Sequence, residues 1–298
     1  MGRPVFVSGA PRSTSFGIVL AAYLAALAAA FVVGLVMTSA NPVFTALAAD
    51  TVATLVIFAF SMTFSNSSLY DPYWSVAPPV IALYWMQGAS GSGGSSVRHA
   101  LVLWLVIAWG ARLTYNWSCG WPGLHHEDWR YRELRANARL PYWLVSLGAI
   151  HYFPTLQVFL ACLPLYAALA LGRAPWHALD WLALLVTGGA IALETVADEQ
   201  LRSFNRTKEP GAICARGVWA YSRHPNYLGE LGFWWGVWLF GLAAHPAWAW
   251  TVIGPVTMTC LFLFASIPML EERSMARRPG YAEHVQRVSK LVPWRPMR

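Results

Sequence analysis

Phe16-Gly-Ile-Val-Leu-Ala-Ala-Tyr-Leu-Ala-Ala-Leu-Ala-Ala-Ala-Phe-Val-Val-Gly-Leu-Val-Met37 runs for 22 residues without a charged side chain. A bilayer crossing needs about 20 apolar residues, so this stretch reads as a membrane helix. It is too long for a signal-peptide core, although Thr38-Ser39-Ala40 has the look of a weak cleavage site. Further apolar runs follow. The second covers Val43 to Phe64 and holds Asp50. The third, Pro72 to Met86, is short and contains Pro78-Pro79, which predicts a broken or tilted helix. A fourth covers Leu101 to Trp117, and a fifth Trp143 to Leu171, kinked by Pro154 and Pro164. The last three cover Leu182 to Leu201, Leu228 to Leu242 and Trp248 to Leu270. The expected fold is all-α: a polytopic membrane helix bundle of seven or eight transmembrane helices joined by polar loops.

Composition points the same way. Hydrophobic residues make up 57% and charged residues 12% of the 298-residue chain, and that charge is under half the roughly 25% of a soluble domain. Too few polar side chains remain to cover a water-facing surface, and the apolar content excludes a disordered chain. Mean hydropathy is +0.43. The net charge of +7 gathers in short segments between apolar runs, which is a topology signal and not a nucleic-acid footprint. Cys119, Cys162, Cys214 and Cys260 are scattered, so neither a metal site nor a disulfide framework is expected. Gly88-Ala-Ser-Gly-Ser-Gly-Gly-Ser-Ser96 reads as a flexible linker. Its glycines lack the βαβ surroundings of a dinucleotide loop.

The basic residues form three groups. Arg130, Arg132, Arg135 and Arg139 lie between the fourth and fifth runs. Arg202, Arg206, Lys208, Arg216 and Arg223 lie between the sixth and seventh, and Arg273, Arg277, Arg278, Arg287, Lys290, Arg295 and Arg298 form the tail. Eight spans place all three groups, with Arg3 and Arg12, on one side, which the positive-inside rule makes cytoplasmic. Seven spans would move only the amino terminus.

An ionisable residue at membrane depth is costly and is by default a functional candidate. Glu194 and Asp198 stand one helical turn apart on one face, and Arg202, a further turn along, can pair with Asp198. A solvated helix end with a surface ion pair is the competing reading for Asp198 and Arg202. The segment Arg216-Gly-Val-Trp-Ala-Tyr-Ser-Arg-His-Pro-Asn-Tyr-Leu-Gly-Glu230 is denser in chemistry. Its arginines suit phosphate, its aromatic rings suit a stacked ring, and Asn226 with Glu230 suits amide or ribose hydroxyl groups. An interfacial turn would need the Trp and Arg but not Asn226 with Glu230. Asp71, directly before Pro72, reads as a helix N-cap or as a buried acid with a raised pKa, two compatible roles. His151 and Gln157 either line a lipid-side pocket or stabilise the kink.

Four runs carry a family resemblance. Arg223-His-Pro-Asn-Tyr-Leu-Gly-Glu230, the preceding Gly217-Val-Trp-Ala-Tyr-Ser222, and the tail segments Pro268-Met-Leu-Glu-Glu272 and Gly280-Tyr-Ala-Glu-His284 resemble the carboxy-terminal domain of the steroid 5α-reductase family. The chain is most similar to the bacterial integral-membrane branch of that family, which also has runs like Ser68-Leu-Tyr-Asp-Pro-Tyr-Trp-Ser75 and His126-Glu-Asp-Trp-Arg-Tyr131. The resemblance covers residues 65–298; residues 1–64, the amino-terminal transmembrane helices, are not specific to it. The Arg223–Glu230 run also resembles its counterpart in sterol C14 and C7 reductases.

The resemblance implies NADPH as cofactor. Glu194 and Asp198 fall where the reductases place an Asn/Asp pair, and Asn226 and Glu230 coincide with the Asn and Glu that hold NADPH. The phosphates would lie against Arg206, Lys208, Arg216, Arg223 and Arg277. Arg202, Trp219, Tyr221, His224, Tyr227, Glu272, Arg273 and Tyr281 complete the implied cofactor site, with His224 on a phosphate or ribose. Asp71 sits where the family has a Gln-Glu pair that polarises the substrate carbonyl, and Tyr70 stands in place of the Gln. Trp109, three residues before Arg112, occupies the position of the family's catalytic tyrosine. Tyr70 or Tyr115 would then supply the phenol, with Tyr73 a further choice. Trp74, Trp109, Arg112, His151 and Gln157 are the implied substrate contacts.

The implied activity is that of a 3-oxo-5α-steroid 4-dehydrogenase-like oxidoreductase. It would reduce the activated C=C bond of a steroid-like or isoprenoid enone drawn from the bilayer. Membrane lipids are the expected partners, nucleic acid is not, and a bacterial inner membrane is the expected location. Two other readings stand beside this one. Isoprenylcysteine carboxyl methyltransferases and phospholipid methyltransferases carry a similar RHPxYxG run, Glu-Glu pair and G-x-x-Y tail, and they bind S-adenosylmethionine. A catalytically inactive membrane scaffold of the same fold is the third.

Overall fold

Every regular segment among the described residues, 11–87 and 95–296 of the computed structural model, is helical. The linker glycines at 88–94, Arg3 and Arg298 lie outside the described residues. Six of the described helices are long and apolar enough to cross a membrane: α1 (Arg12–Val36), α2 (Pro42–Thr63), α4 (Ser96–Gly120), α6 (Tyr142–Leu171), α7 (Ala178–Thr207) and α9 (Pro246–Arg277). The remaining helices are α3 (Tyr73–Gln87), α5 (Trp129–Asn137), α8 (Pro225–Ala244) and α10 (Tyr281–Arg287). This is a multi-pass membrane protein. Its helices form two compact units, one of residues 1–90 and 106–166, the other of residues 91–105 and 167–298. The amino-terminal helices, unspecific in sequence, therefore share a unit with the family-like segment up to Tyr166.

In the first unit, α1 and α2 form a hairpin whose contact is made by Ala22 and Ala26 against Ala53 and Ile57. Small side chains let two membrane helices approach closely where lipid offers no hydrophobic drive. Asn41 caps α2 by accepting from the Val43 N–H at 2.9 Å, with Pro42 at the first helical position. Arg12, at the start of α1, donates to the Trp121 carbonyl at 3.1 Å beyond the end of α4. The third run stays one continuous helix, α3, despite its two prolines. Its 15 residues extend about 22 Å at about 1.5 Å per residue. Pro79 cannot donate to the Ser75 carbonyl one turn back. A Cβ at Gly110 of α4 would lie 2.4 Å from that freed oxygen, so α4 passes the break with its backbone. The kinks expected at Pro154 and Pro164 take the form of π-helical turns at Ser146–Tyr152 and Ala167–Leu171, on either side of the α-helical stretch Phe153–Tyr166.

The second unit is organised by the antiparallel pair α7 and α8. A Cβ at Gly229 would come within 2.7 Å of the Glu194 Cβ, and one at Gly236 within 2.1 Å of the Thr187 Oγ1. Gly229, Gly232 and Gly236 thus form the groove in which α7 lies. The start of α7 has a capping box: the His177 ring accepts from the Leu179 N–H, and Asp180 accepts from the His177 N–H at 3.0 Å. Asp180 also holds Arg98 at 2.6 and 2.8 Å with both side chains fully buried. The Arg98 guanidinium reaches the Ala174 and Pro175 carbonyls as well.

Candidate functional site

Each unit holds one concentrated set of polar side chains. In the second unit it begins on α7, where Glu194 and Asp198 are buried at 4% and 8% exposure. Asn226, in the first turn of α8, donates from Nδ2 to Asp198 Oδ1 at 3.4 Å. Glu230, one turn further, is buried and accepts from Trp234 Nε1 at 2.8 Å. The tight passage of Gly229 against Glu194 brings these two helix faces together. Glu194, Asp198 and Asn226 thus lie at one helix–helix seam, with Glu230 buried one turn further along α8. Arg202 donates to Glu199 at 2.5 Å.

The loop before α8 divides into a basic, exposed part and a locked part. Arg206, Lys208 and Arg216 are exposed. Lys208 touches Asn205 at 2.8 Å, and the Arg216 guanidinium sits 5.7 Å from the Phe204 ring centre. Trp219 is buried with Cys214 and Ala197, its Nε1 donating to the Ala197 carbonyl at 2.9 Å. Arg223 is built into the fold. Its Nε donates to Glu271 at 2.7 Å, and its Nη1 reaches the carbonyls of Val285 (2.9 Å) and Val288. His224 Nε2 donates to the same Glu271 oxygen at 3.0 Å, and its ring stacks on Tyr227 at 5.5 Å. Burial holds the His224 pKa below the ordinary imidazole range, against the opposing pull of Glu271, so the ring is neutral at physiological pH. The chain beyond α10 closes the lock. Ser222 Oγ donates to the Leu291 carbonyl at 2.7 Å, the Arg223 N–H to Ser289 at 2.9 Å, and the Trp294 N–H to Tyr221 at 3.1 Å. The expected phosphate contact at Arg223 thus meets a guanidinium already engaged by one carboxylate and two carbonyls. Of the Glu-Glu pair, Glu271 is the buried member and Glu272 the exposed one. Arg277 and Tyr221 are exposed, Arg273 is half-buried and Tyr281 buried.

In the first unit the polar set lies where the turn 66–72 meets the connection between α4 and α5. Asp71 Oδ1 accepts from the Tyr131 hydroxyl at 2.6 Å. Burial pushes the Asp71 pKa up to about 7, although Arg130, Tyr131 and Ser68 pull it the other way. Burial also lifts Asp128, but the Arg130 guanidinium, bonded at 2.8 and 3.3 Å, holds it below the usual carboxylate range. The Asp128 N–H donates to Ser68 Oγ, and the Ser67 N–H to Glu127, which also takes Arg135 at 3.1 Å. The two family-like runs Ser68–Ser75 and His126–Tyr131 therefore fold onto each other.

Of the two expected catalytic tyrosines, Tyr70 is buried and Tyr115 exposed. The Tyr70 hydroxyl is 2.8 Å from Thr155 Oγ1, which in turn is 2.8 Å from Thr54 Oγ1. Tyr115 is 60% exposed on α4. Tyr131 is the phenol on Asp71. The sequence offered a signal for it in His126–Tyr131, but which phenol meets Asp71 is decided by the fold of the α4–α5 connection. Trp109, His151 and Gln157 are buried, and Trp74 and Arg112 are half-buried. His151 bonds the Ser146 carbonyl at 2.8 Å and Ser61 Oγ at 3.0 Å inside the π-helical turn, which is the kink-stabilising arrangement. Asp50, seen in sequence only as a charge within an apolar run, accepts from the Tyr73 hydroxyl at 2.7 Å.

Residues 57–288 match a family model described as proteins of unknown function, DUF1295. An uncharacterised protein of the fission yeast Schizosaccharomyces pombe is 28% identical over 263 aligned positions, covering 80% of this chain and 76% of the yeast protein. No solved structure matches. The matched segment contains Asp71, Tyr131 and the whole α7–α8 seam, and the chain belongs to the DUF1295 family.

Proposed function

We propose that this protein is a membrane reductase of the steroid 5α-reductase type, taking NADPH at the α7–α8 seam and reducing an activated C=C bond in a lipophilic enone. The observation that carries the reading is the meeting of Glu194 and Asp198 on α7 with Asn226 on α8 at one glycine-lined helix contact, with Glu230 buried a turn further along. A purely structural seam has no need of buried carboxylates. The donor set suits a dinucleotide. Exposed Arg206, Lys208, Arg216 and Arg277 offer cations for phosphate, while Asn226 and the carboxylates offer partners for amide and ribose hydroxyl groups. Arg223, His224 and Glu271 position the loop by tying it to the tail.

NADPH, when bound, supplies the hydride. Asp71, in the first unit, keeps its proton up to about pH 7 and is the proposed hydrogen-bond donor to a substrate carbonyl. Where negative charge develops on a carbonyl oxygen, a preorganised donor is most effective. Tyr131 fixes the carboxyl through its 2.6 Å hydrogen bond. Asp71→Asn is expected to leave NADPH binding intact and to lower turnover of a 4-en-3-one by about 10²-fold or more. Full activity would remove Asp71 from the chemistry.

Eight crossings are the topology this reading takes. Asp71, before α3, bonds Tyr131, after α4, which supports α3 and α4 crossing as a pair. Arg223, before α8, bonds Glu271, near the end of α9, which likewise supports α8 and α9 crossing as a pair. The basic segments then face the cytoplasm, and a bacterial inner membrane is the proposed location.

A further inference from the structure

The first unit contains a cavity of about 490 Å³ lined only by α1, α2, α3 and the residues they carry. That volume lies within the roughly 300–1,000 Å³ of small-molecule sites. Its walls are aliphatic and aromatic, among them Leu27, Phe31 and Val80, and its polar lining includes Asp50 and Tyr73. All of its α1 and α2 lining precedes residue 57, outside the segment matched by the family. Asp50 is 6% exposed, and one carboxyl oxygen accepts from the Tyr73 hydroxyl at 2.7 Å. Tyr73 is held in turn by the Tyr70 ring stacked on it at 5.3 Å.

An acidic side chain at this depth is costly without a task, and the α1–α2 contact itself runs on alanines. No Lys, Arg or His lines the cavity, so a phosphate or carboxylate head would meet Asp50 with no counter-charge. A hydroxyl can donate to the second Asp50 oxygen when that carboxyl is ionised and accept from it when it is protonated, so it is satisfied in either state. We infer that the α1–α2–α3 cavity is a binding site for a neutral lipid alcohol, its hydroxyl on Asp50 and Tyr73 and its hydrocarbon between the three helices. This site is independent of the proposed reduction and is built partly from helices outside the family segment.

The test is equilibrium binding of radiolabelled geranylgeraniol to the full-length protein in phosphatidylcholine nanodiscs. Unlabelled geranylgeraniol, its hydrocarbon analogue, geranylgeranylamine and geranylgeranoic acid serve as competitors. The alcohol should bind saturably and be displaced at least about tenfold better by itself than by the other three, tenfold corresponding to about 1.4 kcal/mol, near the size of a buried hydrogen bond. Asp50→Leu and Tyr73→Phe should each weaken it to a similar degree, Asp50→Asn should retain it, and Ala30→Trp should fill the cavity and abolish it. Equal competition by the hydrocarbon would reduce the cavity to a place for lipid tails and overturn the inference. Preference for the amine, lost in Asp50→Asn, would make it a cation site and overturn it equally. NADPH binding, measured on the same samples, reads the α7–α8 seam alone, so failure of one claim leaves the other standing.

Discussion

Asp71 carries the chemistry proposed for the first unit, and its environment makes a signed pH prediction. Burial lifts its pKa to about 7, so the acid form is present below that pH and is lost as pH rises through it. Turnover should therefore fall above about pH 7. The Tyr131 hydrogen bond pulls this pKa down, so Tyr131→Phe should move the alkaline limb to higher pH while lowering the maximum rate, as a pH–rate profile of both proteins would show. An unmoved limb would mean that Tyr131 is not on the titrating group. Much of this was legible in sequence at the level of single residues: Asp71, Asn226, Glu230 and Glu194 stand in recognisable runs or at membrane depth. Their partners were not. Tyr131 lies 60 residues from Asp71, and Glu271 lies 48 from Arg223. Pairings over such distances are set by how the connections fold, which no local pattern encodes.

Helices were the most legible feature, because a charge-free run of bilayer length has few other outcomes. Their ends were less so. The sixth run, read as Leu182 to Leu201, extends in α7 from Ala178 to Thr207, since its amphipathic ends carry polar residues that hydropathy discounts. The prolines of α6 were read as kinks and lie between π-turns, whereas those of α3, read as a break or tilt, leave one continuous helix. The glycines of α8 gave no sequence signal of their own, although they decide how closely α7 lies. Gly236→Ala forces a Cβ to 2.1 Å from the Thr187 hydroxyl and 2.9 Å from its backbone nitrogen. It should lower the melting temperature by several degrees, in line with about 1–3 kcal/mol for overpacking. Gly188→Ala on α7 has nothing within 4 Å and removes a helix-weakening glycine, so it should leave stability equal or higher. Thermal unfolding of the two variants in one detergent compares them directly, and equal losses would refute the tight seam.

Across the whole molecule, much of the 12% charged fraction gathers in polar clusters within each unit, the buried Arg98–Asp180 pair among them, and in basic connections. Eight crossings predict that single cysteines placed at 132, 208 and 278, in a chain lacking its native cysteines, resist a membrane-impermeant maleimide in intact cells. Cysteines at 173 and 245 should react. Labelling at 208 together with protection at 173 would invert the topology. Sequence alone left the choice of cofactor between a dinucleotide and S-adenosylmethionine, because the Arg223–Glu230 run serves both families, and the lock of Arg223 and His224 on Glu271 suits either. The most direct test is the thermal stability of the detergent-purified protein titrated with NADPH or S-adenosylmethionine, alongside Asn226→Ala. NADPH should raise the melting temperature of the natural protein, S-adenosylmethionine should not, and Asn226→Ala should need at least about tenfold more NADPH for the same shift. Stabilisation by S-adenosylmethionine with no response to NADPH would contradict the reductase assignment outright.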